Sequence, residues 1–212
     1  MRHMSGLRHT MSKSALTLVF MVCTLAIGCR QQINRVSVLA YRPGPEKTEV
    51  FYQDFSQAWF VRSGRGEYQL LLENIEPIQS ESSSHHMLRQ SLYCRILWEP
   101  VPGKTFAESS QINARVEYRL DVAPPQEVAV TSQQPKTSLD YRGSGFVSFS
   151  LDRSGEIMRG TIEQAVLELE GSSSNHSEKD KEMGRMVLKE GKFVARKAAD
   201  QIAEYKIVHG KM

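Results

Sequence analysis

Three cysteine thiols are the most reactive side chains in this chain of 212 residues. Cys23 lies inside an apolar run near the start, Cys29 stands directly after that run, and Cys94 occurs alone in the rest of the chain. Without the apolar run, Cys94 is the only cysteine of the domain, so no disulfide can form between domain cysteines. Cys94 alternates with apolar residues, which predicts a buried and unreactive thiol.

Two glycine motifs could carry chemistry, but each lacks a residue that the chemistry requires. Gly103-Lys104-Thr105 copies the end of a phosphate-binding loop, yet Trp98 occupies the position of the first glycine. Gly143-Ser144-Gly145 lacks the glycine that a nucleophile elbow places two residues to each side of the serine. We therefore interpret the first motif as a connection between strands and the second as a flexible strand entry.

Histidines are the candidate metal ligands. His85 and His86 are adjacent and would point to opposite faces of a strand, while His176 and His209 stand far away in the chain. None of these spacings is that of a zinc site, and the acidic residues are scattered without a pairing that favours glycoside hydrolysis. The sequence thus predicts no catalytic residue, no cofactor and no metal.

The amino-terminal residues have the pattern of a secretory signal. Residues 1–14 are basic and residues 15–28 are uncharged and apolar. Fourteen helical residues rise about 21 Å, which is too short for a hydrocarbon core of about 30 Å. We expect a removable signal peptide over residues 1–28, with either Met1 or Met11 as the true start.

The end of the apolar run, Leu25-Ala26-Ile27-Gly28-Cys29, resembles the lipobox of bacterial lipoproteins. The resemblance covers only the leader. It implies cleavage before Cys29, a thioether-linked diacylglycerol on that cysteine, and further acylation of the new amino terminus, for example with palmitate. Two or three acyl chains give a stable membrane anchor. Ordinary cleavage after Ala26-Ile27-Gly28 is the alternative, and Cys29 would then be a free thiol.

The residues after the anchor predict where the body of the protein lies. Arg30 occupies the position where an aspartate retains many lipoproteins in the inner membrane, which favours the outer membrane if the organism has one. The residues from Cys29 to Arg35 form a short tether that reaches about 20 Å at most. We therefore expect a single domain over residues 36–212, held close to the bilayer.

The net charge of the residues after position 28 argues against a nucleic-acid partner. Residues 1–28 contain three of the 27 basic residues and none of the 24 acidic ones, so the remainder is formally neutral. A neutral domain lacks the excess of cations that phosphate backbones attract. The sequence therefore indicates no nucleic acid.

Alternating apolar residues predict a mainly β fold. Residues 112–122 alternate strictly, so we expect one buried and one solvated face. Residues 92–98 alternate less cleanly, with Trp98 on the core side. A hairpin is predicted over Leu139–Glu170 around the turn at 152–155, with bends at its glycines, and further strands over 36–41, 58–62 and 67–75. Residues 45–57 are ambiguous between helix and strand.

The carboxyl-terminal residues predict one helix. Ala195, Ala198, Ile202, Tyr205 and His209 have helical spacing, and Gly210 follows as a terminator. The sequence thus predicts a single antiparallel β-sandwich or barrel with a C-terminal α-helix.

These patterns favour a non-enzymatic lipoprotein of the cell envelope, anchored through lipid on Cys29. It would bind or scaffold another envelope component, such as a protein. One alternative is a barrel that carries a lipid or small apolar ligand, with the helix over one end. Another is an envelope hydrolase whose site is assembled from separate strands. The aromatic cluster at residues 51–60 could line a sugar or lipid site, but core packing explains it more simply.

Overall fold

The strictly alternating residues 114–122 lie in one strand of a closed β-barrel. The computed structural model describes residues 34–41, 49–78, 86–100, 112–123, 137–172 and 184–209. These residues form nine strands and one helix. The elements are β1 Arg35–Tyr41, β2 Glu49–Asp54, β3 Gln57–Arg62, β4 Tyr68–Ile78, β5 His86–Ile96, β6 Ala114–Ala123, β7 Thr137–Leu151, β8 Ile157–Ser172, β9 Arg185–Lys197 and α1 Ala199–His209.

Seven strands, β3 to β9, close the barrel. Neighbours in sequence pair antiparallel from β3 to β9, and β9 then meets β3 in parallel. The parallel seam is short, because only Trp59 with Arg196 and Phe60 with Lys197 are paired. The preceding part of β9 pairs instead with β1, which carries β2 on its other side. The sequence left a sandwich and a barrel open, and the structure is a barrel. Strands β1 and β2 lie outside its closed ring.

Two buried or half-buried asparagines complete the ladder where strands diverge. At the seam, Asn34 Oδ1 accepts a hydrogen bond from Val194 N, and Asn34 O accepts one from Phe55 N, both at 2.8 Å. At the start of β6, Asn113 is fully buried and exchanges two hydrogen bonds of 2.8 Å with the backbone of Val147. Each amide side chain replaces a missing backbone partner and so satisfies groups that would be costly to bury unpaired.

Alternate residues of the strands fill the barrel. The largest interior side chains include Tyr118, Tyr141, Phe60 and Phe193, each at most 2% exposed. Cys94 is also fully buried in this core, and burial raises the pKa of its thiol to about 12. The predicted burial of Cys94 is confirmed, and its low reactivity remains the expectation for a thiol in this setting.

Strands β7 and β8 approach each other closely at glycines. A Cβ atom on Gly143 would lie 1.8 Å from Val166 O, and one on Gly145 would lie 2.3 Å from Gln164 O. Only glycine tolerates such backbone contact. The predicted bending of this hairpin is confirmed, and the two register shifts flank these glycines at Asp140/Tyr141 and Phe146/Val147. The motif Gly143-Ser144-Gly145 therefore lies within a strand and not at its entry.

The helix packs against the outer wall of the barrel and not over an end. Its buried residues Ile202 and Tyr205 contact Leu71 and Tyr93, which point outward from β4 and β5. Trp59 on β3 lies beside them. The helix therefore covers apolar side chains that the strands would otherwise expose, which is the ordinary driving force for such docking.

Several sequence expectations about element bounds were wrong. The helix begins at Ala199, and Ala195 lies in β9, a strand that the sequence analysis missed. The cause is an irregularity at Glu190-Gly191, where Glu190 has φ 52°, the register with β1 shifts and the burial alternation changes phase. Ile112 precedes β6 and is 53% exposed, and Trp98 lies beyond the end of β5 and is 37% exposed.

The ambiguous aromatic segment has a mixed outcome. Glu49–Asp54 is a strand, which agrees with its aromatic and β-branched content, while residues 45–48 lie outside the described residues. Phe55 and Phe60 are buried in the core as expected. Phe51 and Tyr52 are exposed on β2 instead, because this strand lies outside the closed ring.

Candidate functional site

Charged side chains are arranged in rows across the outer face of β5 to β8. The register places Arg95 opposite Arg115, and Arg115 opposite Ser144. One row further along, Glu117 lies between Tyr93 and Arg142. Side chains that face each other on neighbouring strands interact directly, so the register brings together groups from three strands, β5, β6 and β7.

These rows surround an open depression of about 460 Å³ on the outer wall. Below, the outer depression means the space lined by Tyr93, Arg95, Arg115, Val116, Glu117, Arg142, Gly143, Ser144 and Glu170. Gly143 contributes no side chain to it. Its volume is that of a pocket for a small molecule or for one group of a larger partner.

Arg142 forms ion pairs with two carboxylates at the rim of the outer depression. Its Nε lies 3.1 Å from Glu117 Oε1 and its Nη1 lies 2.9 Å from Glu170 Oε2. Glu170 reaches this position because a register shift leaves it without a partner on β7. Burial raises the pKa of Glu117, and the nearby Arg142 guanidinium opposes that rise. Arg142 is therefore committed to structural ion pairs.

The side chain of Arg115 is exposed to solvent and, unlike Arg142, is not paired with a carboxylate among the described residues. Arg95 Nη2 contacts Glu67 Oε2 at 3.5 Å, whereas Arg115 has no ion pair within the part of the chain that the structure describes. Two arginines directly opposite each other repel, which costs a few tenths of a kcal/mol or more in a sheet. An anion between them would remove this cost and receive several N–H donors.

Tyr93 lines the outer depression, but its hydroxyl is buried. Its ring stacks on Tyr205 of α1 with centroids 5.6 Å apart, and burial raises the pKa of its hydroxyl. Among the described residues, this buried hydroxyl has no hydrogen-bond partner, which is costly. Because the oxygen is buried, it is not among the groups that a ligand in the depression could contact.

A second set of polar groups lies where the end of α1 meets β6 and β7. The space here, beside Glu117, Asp140 and His209, holds about 10 Å³, which is too small for anything larger than a water molecule. Burial and the cations of Arg119 and Arg89 lower the pKa of His209 to about 3. The imidazole is therefore neutral near pH 7, and its Nε2 has no partner among the described residues.

The polar network beside His209 is closed within itself. Arg119 Nε lies 2.8 Å from Asp121 Oδ1, and Arg119 Nη1 lies 3.3 Å from Asp140 Oδ1. Arg89 Nε likewise lies 2.7 Å from Glu73 Oε1. Asp121 is only 4% exposed, so the outer face of β6 is not the fully solvated face that its alternation predicted. Burial raises the pKa of Asp121 against the opposing effect of Arg119.

Most of the sequence-predicted candidates lie outside the described residues. Cys29, Gly103-Lys104-Thr105, His85 and His176 lie outside the described residues. His86 begins β5 and His209 ends α1. No group of three or more metal-ligating side chains occurs in the described ranges, and no helix in them has the length and hydropathy of a membrane span.

Sequence reasoning missed the arginines of the outer depression. Arg115 stood on the polar face of an evident strand, and Arg95 on a less clear one, but nothing in the chain indicated that they face each other. Comparison of the chain with family models, curated proteins and solved structures found no match. Any proposal about the chemistry of the outer depression must therefore rest on its geometry.

Proposed function

We propose that the protein is a lipid-anchored, non-enzymatic component of the bacterial cell envelope that binds an anionic group of another envelope component. The lipobox-like leader and Cys29 support the anchor and the location. The outer depression supports the binding role. The single observation that carries the binding role is that Arg115, which has no ion pair among the described residues, lies opposite Arg95 beside an open space of about 460 Å³.

The chemistry of the outer depression favours a carboxylate or phosphate. Arg115 and Arg95 can donate planar pairs of N–H groups, and the Ser144 hydroxyl can donate one more. Cell-envelope polymers, lipids and protein side chains all carry such oxygens, so the proposed partner is defined by this shared group.

The carrier alternative has less support. A closed barrel is compatible with an internal ligand, as in other small barrels. In the described part of this barrel, however, large side chains such as Tyr118, Tyr141 and Phe193 occupy the interior. The space suited to a ligand lies outside the ring, so surface binding accounts better for the geometry.

Mass spectrometry of the mature amino terminus tests the anchor. We expect the wild-type chain to begin at Cys29 and to carry the mass of a diacylglycerol with or without a further acyl chain. The Cys29→Ser chain should carry neither. An intact leader in purified protein, or an unmodified sulfur at Cys29 in washed cells, would remove the basis for the anchor and the location.

A photo-crosslinking residue tests the binding role in intact envelopes. Placed at Ser144, it should give a discrete crosslinked species, and the matched probe at Arg153 on the exposed hairpin turn should give none. Adding Arg115→Gln should abolish the species if an anionic group is bound. Equal crosslinking from both positions would show that the outer depression has no selective partner.

A further inference from the structure

Strand β2 exposes three consecutive large apolar side chains. Val50 is 58%, Phe51 38% and Tyr52 65% exposed. Below, the β2 surface means these three residues. Since alternate residues of a strand point to opposite faces, both faces of β2 reach solvent. The strand ends the sheet, with β1 on one side and no further strand among the described residues on the other.

An uncovered apolar edge strand is a liability that proteins ordinarily reduce with charge, bulges or a covering element. Here the outward row of β1 adds apolar area, because Leu39 lies opposite Val50. Val187 on β9 follows in the same row, but it is only 7% exposed, so the exposed apolar area ends near Leu39. The β2 surface with Leu39 is therefore a local apolar edge, suited to an apolar environment.

The position of the β2 surface in the chain favours a bilayer as that environment. Tyr52 lies opposite Ser37, and Asp54 lies opposite Arg35. Arg35 is six residues from Cys29, a distance that extended chain spans in about 20 Å. A lipid on Cys29 would thus hold the start of β1, and β2 beside it, within reach of the membrane surface.

The residues around Tyr52 have the composition of an interfacial contact. The Arg35 guanidinium lies 5.5 Å above the Tyr52 ring and pairs with Asp54 at 2.6 Å. Lys189 and Lys192 of β9 lie opposite Ser37 and Arg35 in the neighbouring pairing. Aromatic rings with long cationic side chains are enriched where hydrocarbon meets headgroups, because each combines an apolar body with a polar tip.

We propose that the β2 surface inserts into the polar–apolar interface of the membrane to which Cys29 is anchored. This inference rests on the proposed acylation of Cys29 and goes beyond it. The lipid alone would leave the barrel free to rotate on its tether, whereas a second apolar contact fixes its orientation. The outer depression, on β5 to β7, would then have a defined direction relative to the bilayer.

Site-directed spin labelling of the full chain tests this contact. The acylated protein, carrying Tyr52→Cys or the control Ile207→Cys, is placed in vesicles of phosphatidylethanolamine and phosphatidylglycerol. Ile207 is 82% exposed on the helix and serves as a matched apolar control. Labelling is selective, because Cys94 is fully buried and Cys29 is blocked by its thioether.

We expect the label at position 52 to collide several-fold less with a water-soluble nickel complex, and several-fold more with oxygen, than the label at position 207. Mass spectrometry of the same sample establishes whether Cys29 is acylated, and thermal melting establishes that each variant is folded. An acylated protein whose two labels are equally accessible to nickel would overturn the inference and leave the anchor intact.

Two further outcomes also count against the contact. If protection at position 52 disappears when labelled protein is diluted with unlabelled protein, a second copy covers the β2 surface and not lipid. If Cys29 carries no acyl chain, the proposed anchor fails, and the inference fails with it. Protection that persists on dilution in acylated protein supports the contact.

Discussion

The interior of the barrel and the outer face of β5 to β8 are built on the same strands but by different rules. In the interior, apolar side chains exclude water, and any partner of suitable volume serves each of them. On the outer face, charged side chains are partly buried and each requires a specific neighbour. Asp121 and Glu117 illustrate this requirement, since each lies beside an arginine from its own or the next strand.

This difference indicates where the molecule is robust and where it can bind. Burial of apolar area stabilises the interior without further conditions. The outer face is stable only where ion pairs are complete, as at Arg119. Arg115, which lines the outer depression, has no ion pair among the described residues. A site left electrostatically incomplete by the protein is one that a ligand can complete.

The largest effect is expected from a cavity in the interior. Phe193 is 2% exposed and touches the backbone region of Gly160 so closely that an added Cβ there would lie 2.6 Å from its ring. Phe193→Ala should lower the free energy of unfolding by about 3–5 kcal/mol in urea titration. Ile207→Ala, a control on the exposed face of the helix, should cost less than about 0.5 kcal/mol.

Breaking the closed polar network should cost nearly as much. Arg119→Gln leaves Asp121, which is 4% exposed, without its cation, so we expect a loss of about 2–4 kcal/mol. Replacing both residues with leucine should restore most of the stability, because no unpaired charge then remains. A cost below about 1 kcal/mol for the single variant would show that the outer face tolerates incomplete pairs.

The pH dependence of stability should sharpen the comparison further. The pKa of His209 is about 3 in the folded protein and near 6.5 when exposed, so the unfolded state binds its proton first. Stability is therefore complete above pH 6.5 and falls as the pH decreases towards 3, by at most about 1.4 kcal/mol per pH unit. His209→Gln should remove this slope in denaturation curves measured between pH 6.5 and 4. An unchanged slope would show that His209 is accessible to protons in the folded state.

A substitution that relieves backbone strain should have a smaller effect and should raise the free energy of unfolding. Glu190 is exposed at the irregularity of β9 with φ 52°, a conformation that costs a residue with a side chain about 1 kcal/mol. Glu190→Gly should stabilise the protein by about 0.5–1 kcal/mol in the same urea assay. Lys189→Gly, which changes a neighbour with ordinary strand geometry, should instead destabilise it.

The sequence predicts the interior better than the outer face for a physical reason. Alternation depends only on neighbours along one strand, so the buried residues of β6 and the hairpin of β7 and β8 could be recognised. It fails where an irregularity changes the phase, as at Glu190-Gly191, and β9 was missed for that reason. The sheet is a barrel because two residues of β3 pair in parallel with two of β9, and no local sequence pattern predicts this pairing.

The outer depression could not be predicted because it depends on register. Arg95 and Arg115 lie on different strands, and the sequence does not reveal how the two strands are aligned. A shift of one residue in the pairing would send either side chain to the other face of the sheet. The partly buried state of Asp121 likewise depends on tertiary packing at the end of α1. The lipobox-like motif at residues 25–29, in contrast, is contiguous in the chain, so it could be recognised without knowledge of the fold. Its role remains a prediction from sequence.

Unfolding by urea with and without inorganic phosphate tests the binding claim most directly. A ligand that binds only the folded state at about ten times its Kd adds about 1.4 kcal/mol to the free energy of unfolding. We expect phosphate, or acetate if a carboxylate is preferred, to stabilise the wild type and the control Arg159→Gln. Arg115→Gln should be slightly more stable without anion, and neither anion should stabilise it further. Equal stabilisation of all three proteins would contradict the assignment of the outer depression as an anion site.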